Sequence, residues 1–260
     1  MKLLKGIHSS ALIGENVKLG KNVNVGPNSI IYENVEIGDD SDIGANVVLG
    51  EPLGSFYHNK DAYVNPRLVI GKNALVRSGT KIYAGSTLGD KFECGHNVTI
   101  RENTTAGFNW RVGTLSDIQG HCEIGDYVRF HSNVHIGHKS KIGNFVWIFP
   151  YVVLTNDPHP PSNELVGVTV DEFAVIATMS VILPGVRVGK NSLIGAGSIV
   201  KRDVEEESVV VGNPAKPVCS IRDIKSKSTE LHVYPWAENF DRGMTWEGIG
   251  FSEWKKQNQI

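Results

Sequence analysis

Three observations predict that this chain folds as an all-β solenoid. From Ile70 to Leu154 an apolar residue falls on every sixth position, through Val76, Ile82, Leu88, Cys94, Ile100, Ala106, Val112, Ile118, Ile124, Phe130, Ile136, Ile142 and Ile148. The residue after each of these is usually glycine, and the fourth after it is small or apolar, as at Ala74, Thr80, Ser86, Val98, Cys122 and Val134. The third is repeatedly Asn or Gly (Asn73, Gly79, Gly85, Asn97, Asn103, Asn109, Asn133), the residues that tolerate a left-handed backbone at a sharp corner. A six-residue period fits neither an amphipathic helix nor an alternating strand. It is the hexapeptide signature of a parallel β-helix. Three short strands per coil make a triangular prism, in which residues eighteen apart stack at roughly 4.8 Å.

At 260 residues the chain suits one elongated body with appendages, because each coil buries its core only against its neighbours. A net charge of −2 with interspersed signs gives no footprint for nucleic acid or a membrane surface. The opening MKLLKGIHSS has no long apolar run, no segment approaches membrane-spanning length, and a cytoplasmic protein is expected. Cys94 and Cys122 occupy inward positions where a thiol acts as a small hydrophobe, so neither a disulfide framework nor a cysteine metal site is expected.

Taken in order, the repeat begins at Ile7 and continues through Ile13, Leu19, Val25, Ile31, Ile37, Ile43 and Leu49, with Asn16, Asn22, Asn28, Asn34 and Asn46 at its corners. Residues 51–68 break the register with Pro52, Phe56, Tyr57, His58, Tyr63 and Pro66. A long loop leaving a regular scaffold is more often functional than decorative. Its aromatics suit either a flat ring of a ligand or their own packing against the prism. In the coils that follow, the residue after the apolar start becomes Arg77, Tyr83, Arg101, Gln119, His131 and Phe149, and corners become His121, Lys139 and Tyr151. Such departures gain nothing for the core and mark a functional surface. Ala84, Glu102, Gly120, His138 and Asn156 stack along one edge, beside Gly85, Asn103, His121, Lys139 and Asp157. Gly120 is expected to leave open space above the Glu102 carboxylate. His96 lies one face earlier in the same coil as Glu102.

A second break, about 155–172, carries Pro158, His159, Pro160 and Pro161, which forbid continued strand pairing. The register returns at Ile176, Ile182, Val188, Ile194 and Val200 and closes on Gly212-Asn213-Pro214-Ala215-Lys216-Pro217. Residues 1–217 are thus expected to form the β-helix and 218–260 a non-repeat extension. The extension's aromatics (Tyr234, Trp236, Phe240, Trp246, Phe251, Trp254) predict a packed cap or docking arm.

The segments RSGTKIYAG, GHNVTIREN, LTNDPHPP and GNPAKP, set within the hexads, resemble the left-handed β-helix acyltransferases. Within them the likeness is to N-acyltransferases of nucleotide-linked amino sugars, of the dTDP-3-amino and dTDP-4-amino-dideoxyhexose (quinovosamine and anthrose) kinds. It covers about residues 7–218. The resemblance implies a left-handed prism, a homotrimer with its active site in the cleft between two prisms, and an acetyl or short hydroxyacyl group taken from a coenzyme A thioester, with no metal. It places Ala177, Gly195, Ala196 and Gly197 along the pantetheine arm, and Lys201, Asn213, Pro214 and Lys216 near the adenine and phosphates. Arg77, Tyr83 and Arg101 would meet the nucleotide-sugar, the arginines matching pyrophosphate by charge and fork geometry.

Moving an acyl group from a thioester to an amine needs deprotonation of the ammonium, positioning and an oxyanion donor. Glu102, His96 and His121 are the candidate bases, with His138, Asn156 and His159 as substrate contacts. The histidine cluster His131, His135 and His138 raises a zinc site of the β-helix carbonic anhydrase kind as a rival. That pattern wants histidines where Glu102 and Gly143 stand. An acyl-carrier-protein-dependent lipid A-type enzyme and a non-catalytic prism compete with the coenzyme A-dependent reading as well.

Overall fold

The computed structural model describes residues 5–258; residues 1–4 and 259–260, the ends of the two expected segments, lie outside the described residues. The fold is a nearly all-β parallel solenoid whose strands are mostly two residues long. They assemble into three sheets, one per face of a triangular prism. Among the described residues face 1 has ten strands, from Leu12–Ile13 to Ile199–Val200. Face 2 has nine, from Lys18–Leu19 to Arg187–Val188, and face 3 has eleven, starting at Asn24–Val25. Partners stand eighteen residues apart, as in Lys81↔Thr99, Asp117↔His135 and Glu93↔Arg111.

The hexad explains this geometry residue by residue. Along face 1 one residue of each central strand points inward, so Ile82, Ile100, Ile118, Ile136, Leu154 and Ile182 form one buried ladder behind it. The small inward residue four positions later fastens the corner. The Ser116 hydroxyl donates to the His131 carbonyl at 3.0 Å and accepts from the Val134 N–H at 3.2 Å. Serines and threonines can therefore be fully buried there without an unpaired hydroxyl.

Corner residues sit at positive φ throughout, at Asn73, Asn97, Asn103, Asn109 and Asn133 as the sequence predicts. Leu115, Tyr127, Phe145, Phe173 and Met179 also adopt it, with φ between 55° and 62°. An L-residue in this region costs roughly 1–2 kcal/mol, so these side chains must return something. On the edge between faces 2 and 3 the return is visible. Tyr127, Phe145 and Phe173 stack at 5.3 Å and 4.9 Å, and Trp246 and Trp254 of the tail lie against Phe145 at 5.2 Å and 5.6 Å. This second apolar cluster is built from tail residues and outward prism residues, separate from the prism interior.

Both register breaks are shorter than predicted. Leu68–Ile70 is already a face 2 strand, with Leu68 fully buried, so the first loop ends at residue 67. Thr169–Val170 rejoins face 2 with Val170 buried, so the second loop ends at 168 rather than 172. Apolar residues at the returning hexad positions decide both ends. The tail's start is also not clean: Lys216–Ser220 pairs antiparallel with Ser208–Val211 and extends face 3 past residue 217. Beyond it the tail is mostly irregular and ends in a helix, Phe251–Asn258 (α1). Among the described residues no helix is long and apolar enough to cross a membrane.

Candidate active site

Both loops leave the prism at one edge, where face 1 turns into face 2. Between them, on successive coils, lie Tyr83, Arg101–Glu102, Gly120–His121 and His138–Lys139. Two successive corners of this edge, His121 and Lys139, carry imidazole and charge where a plain coil carries Asn or Gly.

At its centre Arg101 and Glu102 form a two-pronged ion pair, Nε and one terminal nitrogen donating to the carboxylate at 3.0 Å and 2.8 Å. The Glu102 side chain is only 14% exposed, so the guanidinium both orients and neutralises it. The Arg101 guanidinium also lies 5.9 Å from the Tyr83 ring. One coil on, His121 Nε2 is 3.2 Å from Asn103 Nδ2. With the amide as donor, Nε2 is the acceptor and Nδ1 carries the proton of the neutral ring.

The His121 and His138 rings lie 4.6 Å apart. His138 Nδ1 is buried and, among the described residues, has no hydrogen-bond partner. Burial, then the neighbouring His121 and Lys139, lower the His138 pKa, against a smaller opposing pull from Glu102. The ring stays neutral at pH 7, and its orphan nitrogen is a polar contact in need of a partner.

Gly120 does something other than predicted. It is buried with φ +92°, and a Cβ there would stand 2.8 Å from the Glu102 main-chain oxygen. Backbone approach, not space for the carboxylate, requires the glycine.

The second loop is organised by Asp157, which accepts from the Ser162 hydroxyl at 2.7 Å, the Ser162 N–H at 2.9 Å and the His159 N–H at 3.0 Å. The Ser162 hydrogen bonds hold the Asp157 pKa down. His159 stays exposed on this loop, while Asn156 stacks below Gly137. Lys139 Nζ donates to the Leu165 carbonyl at 3.4 Å and ties the loop to the edge. In the first loop, which contains a short helix, Gly54–His58, Phe56 and Tyr63 pack on each other at 5.4 Å while Tyr57 stays exposed. Tyr57 also meets Phe56 edge to face at 5.1 Å, so self-packing involves all three aromatics and leaves Tyr57 the most open of them.

The remaining candidates lie elsewhere. His96 and Arg77 line one groove on the edge between faces 3 and 1, separated from Glu102 by the width of face 1. Ala177, Gly195, Ala196 and Gly197 follow on that same edge, with Gly197 at φ +70° and open space where a Cβ would be. Lys201, Pro214 and Lys216 converge on a cavity of about 540 Å³ at the C-terminal end of the prism, with Asn213 exposed beside it. The candidate residues therefore fall on two edges of the prism and at its C-terminal end rather than in one place.

Two features escaped sequence reasoning. Glu51, at the root of the first loop, has a carboxyl pKa raised by burial. It pairs in register with Tyr83, whose phenol is also raised by burial and then by Glu51. Asp117 accepts from Gln119 at 2.6 Å and lies 3.1 Å from His135 Nδ1. The eighteen-residue spacing puts Asp117 and His135 on one face but gives no reason to single them out. Among the described residues no group of three or more His, Cys, Asp or Glu side chains is placed to hold a metal ion.

Comparison with known proteins agrees with this architecture. Residues 16–51 match the bacterial transferase hexapeptide family (six repeats), and 177–202 and 185–214 match the hexapeptide repeat of succinyl-transferase. The galactoside O-acetyltransferase of Lactococcus lactis is 32% identical over 144 residues, covering 52% of this chain and 66% of that protein. A Saccharomyces cerevisiae protein with a provisional acetyltransferase name is 33% identical over 169 residues, covering 59% of this chain and 86% of its own length. The Arabidopsis UDP-N-acetylglucosamine acyltransferase superposes with a TM-score of 0.57 at 20% identity, over 82% of this chain and 74% of that one, a likeness of fold. The chain belongs to the left-handed β-helix, hexapeptide-repeat acyltransferase superfamily.

Proposed function

We propose that the protein is an N-acyltransferase that moves an acetyl or short hydroxyacyl group from coenzyme A to the amino group of a dTDP-linked amino-dideoxy sugar. The observation that carries this reading is the edge between faces 1 and 2. There a neutralised carboxylate, an imidazole pair and an unpartnered buried nitrogen lie between two loops. The sugar amine attacks the thioester carbon, a C–N bond forms, the C–S bond breaks, and coenzyme A leaves as its thiolate. Glu102 receives the ammonium proton, with Arg101 fixing the carboxylate, and that proton ends on the departing sulfur. Positioning and one oxyanion donor, the latter worth roughly 3 kcal/mol, supply much of the rate. A backbone N–H of the late coils is the proposed donor. The neutral His138 ring lies beside His121 on the same edge and is a proposed substrate contact.

Candidate residues on two edges support a trimer, whose clefts would set the Glu102 edge of one protomer against the Arg77, His96 and Gly195–Gly197 edge of the next. Arg77 and Arg101 would then reach the sugar nucleotide, and the Lys201–Lys216 cavity the far end of coenzyme A. The test is release of free thiol from acetyl-coenzyme A, scored against dTDP-3-amino and dTDP-4-amino sugars, with acyl-carrier protein as a competing donor. Thiol release that depends on an amino sugar supports the reading. Transfer only from the carrier protein, or only to a hydroxyl, refutes it.

A further inference from the structure

On face 3, away from the edge that carries Glu102, the tail closes over a pocket of about 330 Å³ into which three arginines converge: Arg111, Arg129 and Arg242. Among the described residues no acidic side chain lines it. Arg129 is 6% exposed, an unusual place for a guanidinium. Its terminal nitrogens donate to the carbonyls of Asn109, Val128 (3.1 Å) and Gly243 (3.2 Å) and to Asn109 Oδ1 (3.3 Å). Those partners are all neutral. Among the described residues neither Arg129 nor Arg242 has a carboxylate within salt-bridge distance, and Arg111 has only Glu93, at 3.4 Å.

Burial of a cation without a counter-ion is expensive, and a second and third cation beside it make it more so. Burial first, and then Arg111, lower the Arg129 pKa to about 10. Holding the tail in place accounts for the contact to Gly243. It does not account for Arg111 and Arg242, whose exposed side chains add positive charge at the mouth, that of Arg111 partly offset by Glu93.

The neighbouring surface adds a second, independent feature. Trp147 and Phe240 line both this pocket and an adjoining groove of about 370 Å³, which Phe149, Tyr234 and Trp236 also line. Trp147 and Phe240 meet edge to face at 5.7 Å, and the Trp147 indole N–H is buried and has no partner among the described residues. A cationic pocket and an aromatic-lined groove, joined through two shared side chains, match one chemistry: an anion attached to a planar ring.

We infer that the groove between the tail and face 3 binds a nucleotide, with its phosphate oxygens on Arg111, Arg129 and Arg242 and its base among Trp147, Phe149 and Phe240. This groove is a further nucleotide site, separate from the Arg77–Arg101 edges and the Lys201–Lys216 cavity, and the inference would stand if no transfer were found. The same chemistry is offered by the adenosine 3′-phosphate end of coenzyme A and by a thymidine diphosphate. The experiment separates them.

Isothermal titration calorimetry on the full chain, with dTDP, adenosine 3′,5′-bisphosphate and inorganic pyrophosphate in turn, should show one nucleotide binding about tenfold or more tightly than pyrophosphate. The preferred nucleotide names the source. Arg242→Ala, at an exposed position that supports no fold contact with the prism core, should weaken that nucleotide about tenfold or more, and Arg242→Lys should restore part of the loss. Glu102→Gln should leave this Kd unchanged, while Arg111→Ala should follow Arg242→Ala. Three results each overturn the inference: no saturable binding of either nucleotide, pyrophosphate binding as tightly as both, or a Kd indifferent to Arg242→Ala and Arg111→Ala.

Discussion

Replacing Trp246 with alanine should undock the tail and leave the prism standing. Trp246 is fully buried and packs against Phe251 at 4.9 Å, Phe145 and Trp254 at 5.2 Å and Trp236 at 5.8 Å. Its indole N–H donates to the Phe240 carbonyl at 2.9 Å. Truncating a buried tryptophan costs about 3–5 kcal/mol, and an abandoned carbonyl adds roughly 1 kcal/mol where it stays buried. This cluster lies outside the prism interior, so the loss falls on tail docking rather than on the stacked coils. A loss of about 3 kcal/mol or more raises the open population by roughly 10²-fold. Trypsin, acting at Arg222, Lys225, Lys227 and Arg242, should then remove the tail correspondingly faster, while the main thermal transition of the prism stays in place. Unchanged proteolysis, or one shared transition displaced to lower temperature, would show that tail and prism form a single cooperative unit.

Other perturbations separate chemistry from architecture. Glu102→Gln should lower turnover by about 10²–10⁴-fold, the range of a lost general base, and far more than His159→Ala; the opposite ranking in thiol-release assays moves the base to the loop. Gly120→Ala should cost more than the roughly 1–2 kcal/mol of the left-handed conformation, because its Cβ meets the Glu102 carbonyl at 2.8 Å. Gly197→Ala, at φ +70° with open space around it, should cost only the conformational part, and urea midpoints compare the two. The Cys94 and Cys122 thiols are pushed up to about 11 by burial, so thiolate is roughly a 10⁻³ fraction at pH 8. Native protein treated with iodoacetamide should label at exposed Cys219 alone, and rapid native labelling of either buried thiol would contradict their placement.

The prism is legible in the sequence because its period is redundant. Each coil repeats one inward apolar residue, one small residue and one corner, so a local ambiguity is corrected by its neighbours eighteen residues away. The stack Ala84, Glu102, Gly120, His138, Asn156 follows from that spacing, and the imidazole contact at 4.6 Å bears out the adjacency. What the period cannot carry is anything set by contact with a non-repeating segment. Phe145 and Phe173 look like corner errors until Trp246 and Trp254 lie on them, and Arg129 looks like an outward arginine until Gly243 closes over it. The loop ends are misplaced for a related reason. Leu68 and Thr169–Val170 rejoin the sheet in hexads whose corners the loops have replaced, which leaves too few repeat positions to show the register. His96 groups with Glu102 by sequence because six residues separate them, but six residues also carry the chain across a whole face.

The proposal of a site shared between protomers is tested most directly by complementation. Glu102→Gln disables one edge, and Arg77→Ala with His96→Ala disables the other. Chains of the two kinds, each inactive in its own trimer, should regain about a quarter of wild-type turnover when co-refolded in equal amounts, since that share of clefts pairs two intact edges. A mixture no more active than its separate components would place the reacting groups within one chain.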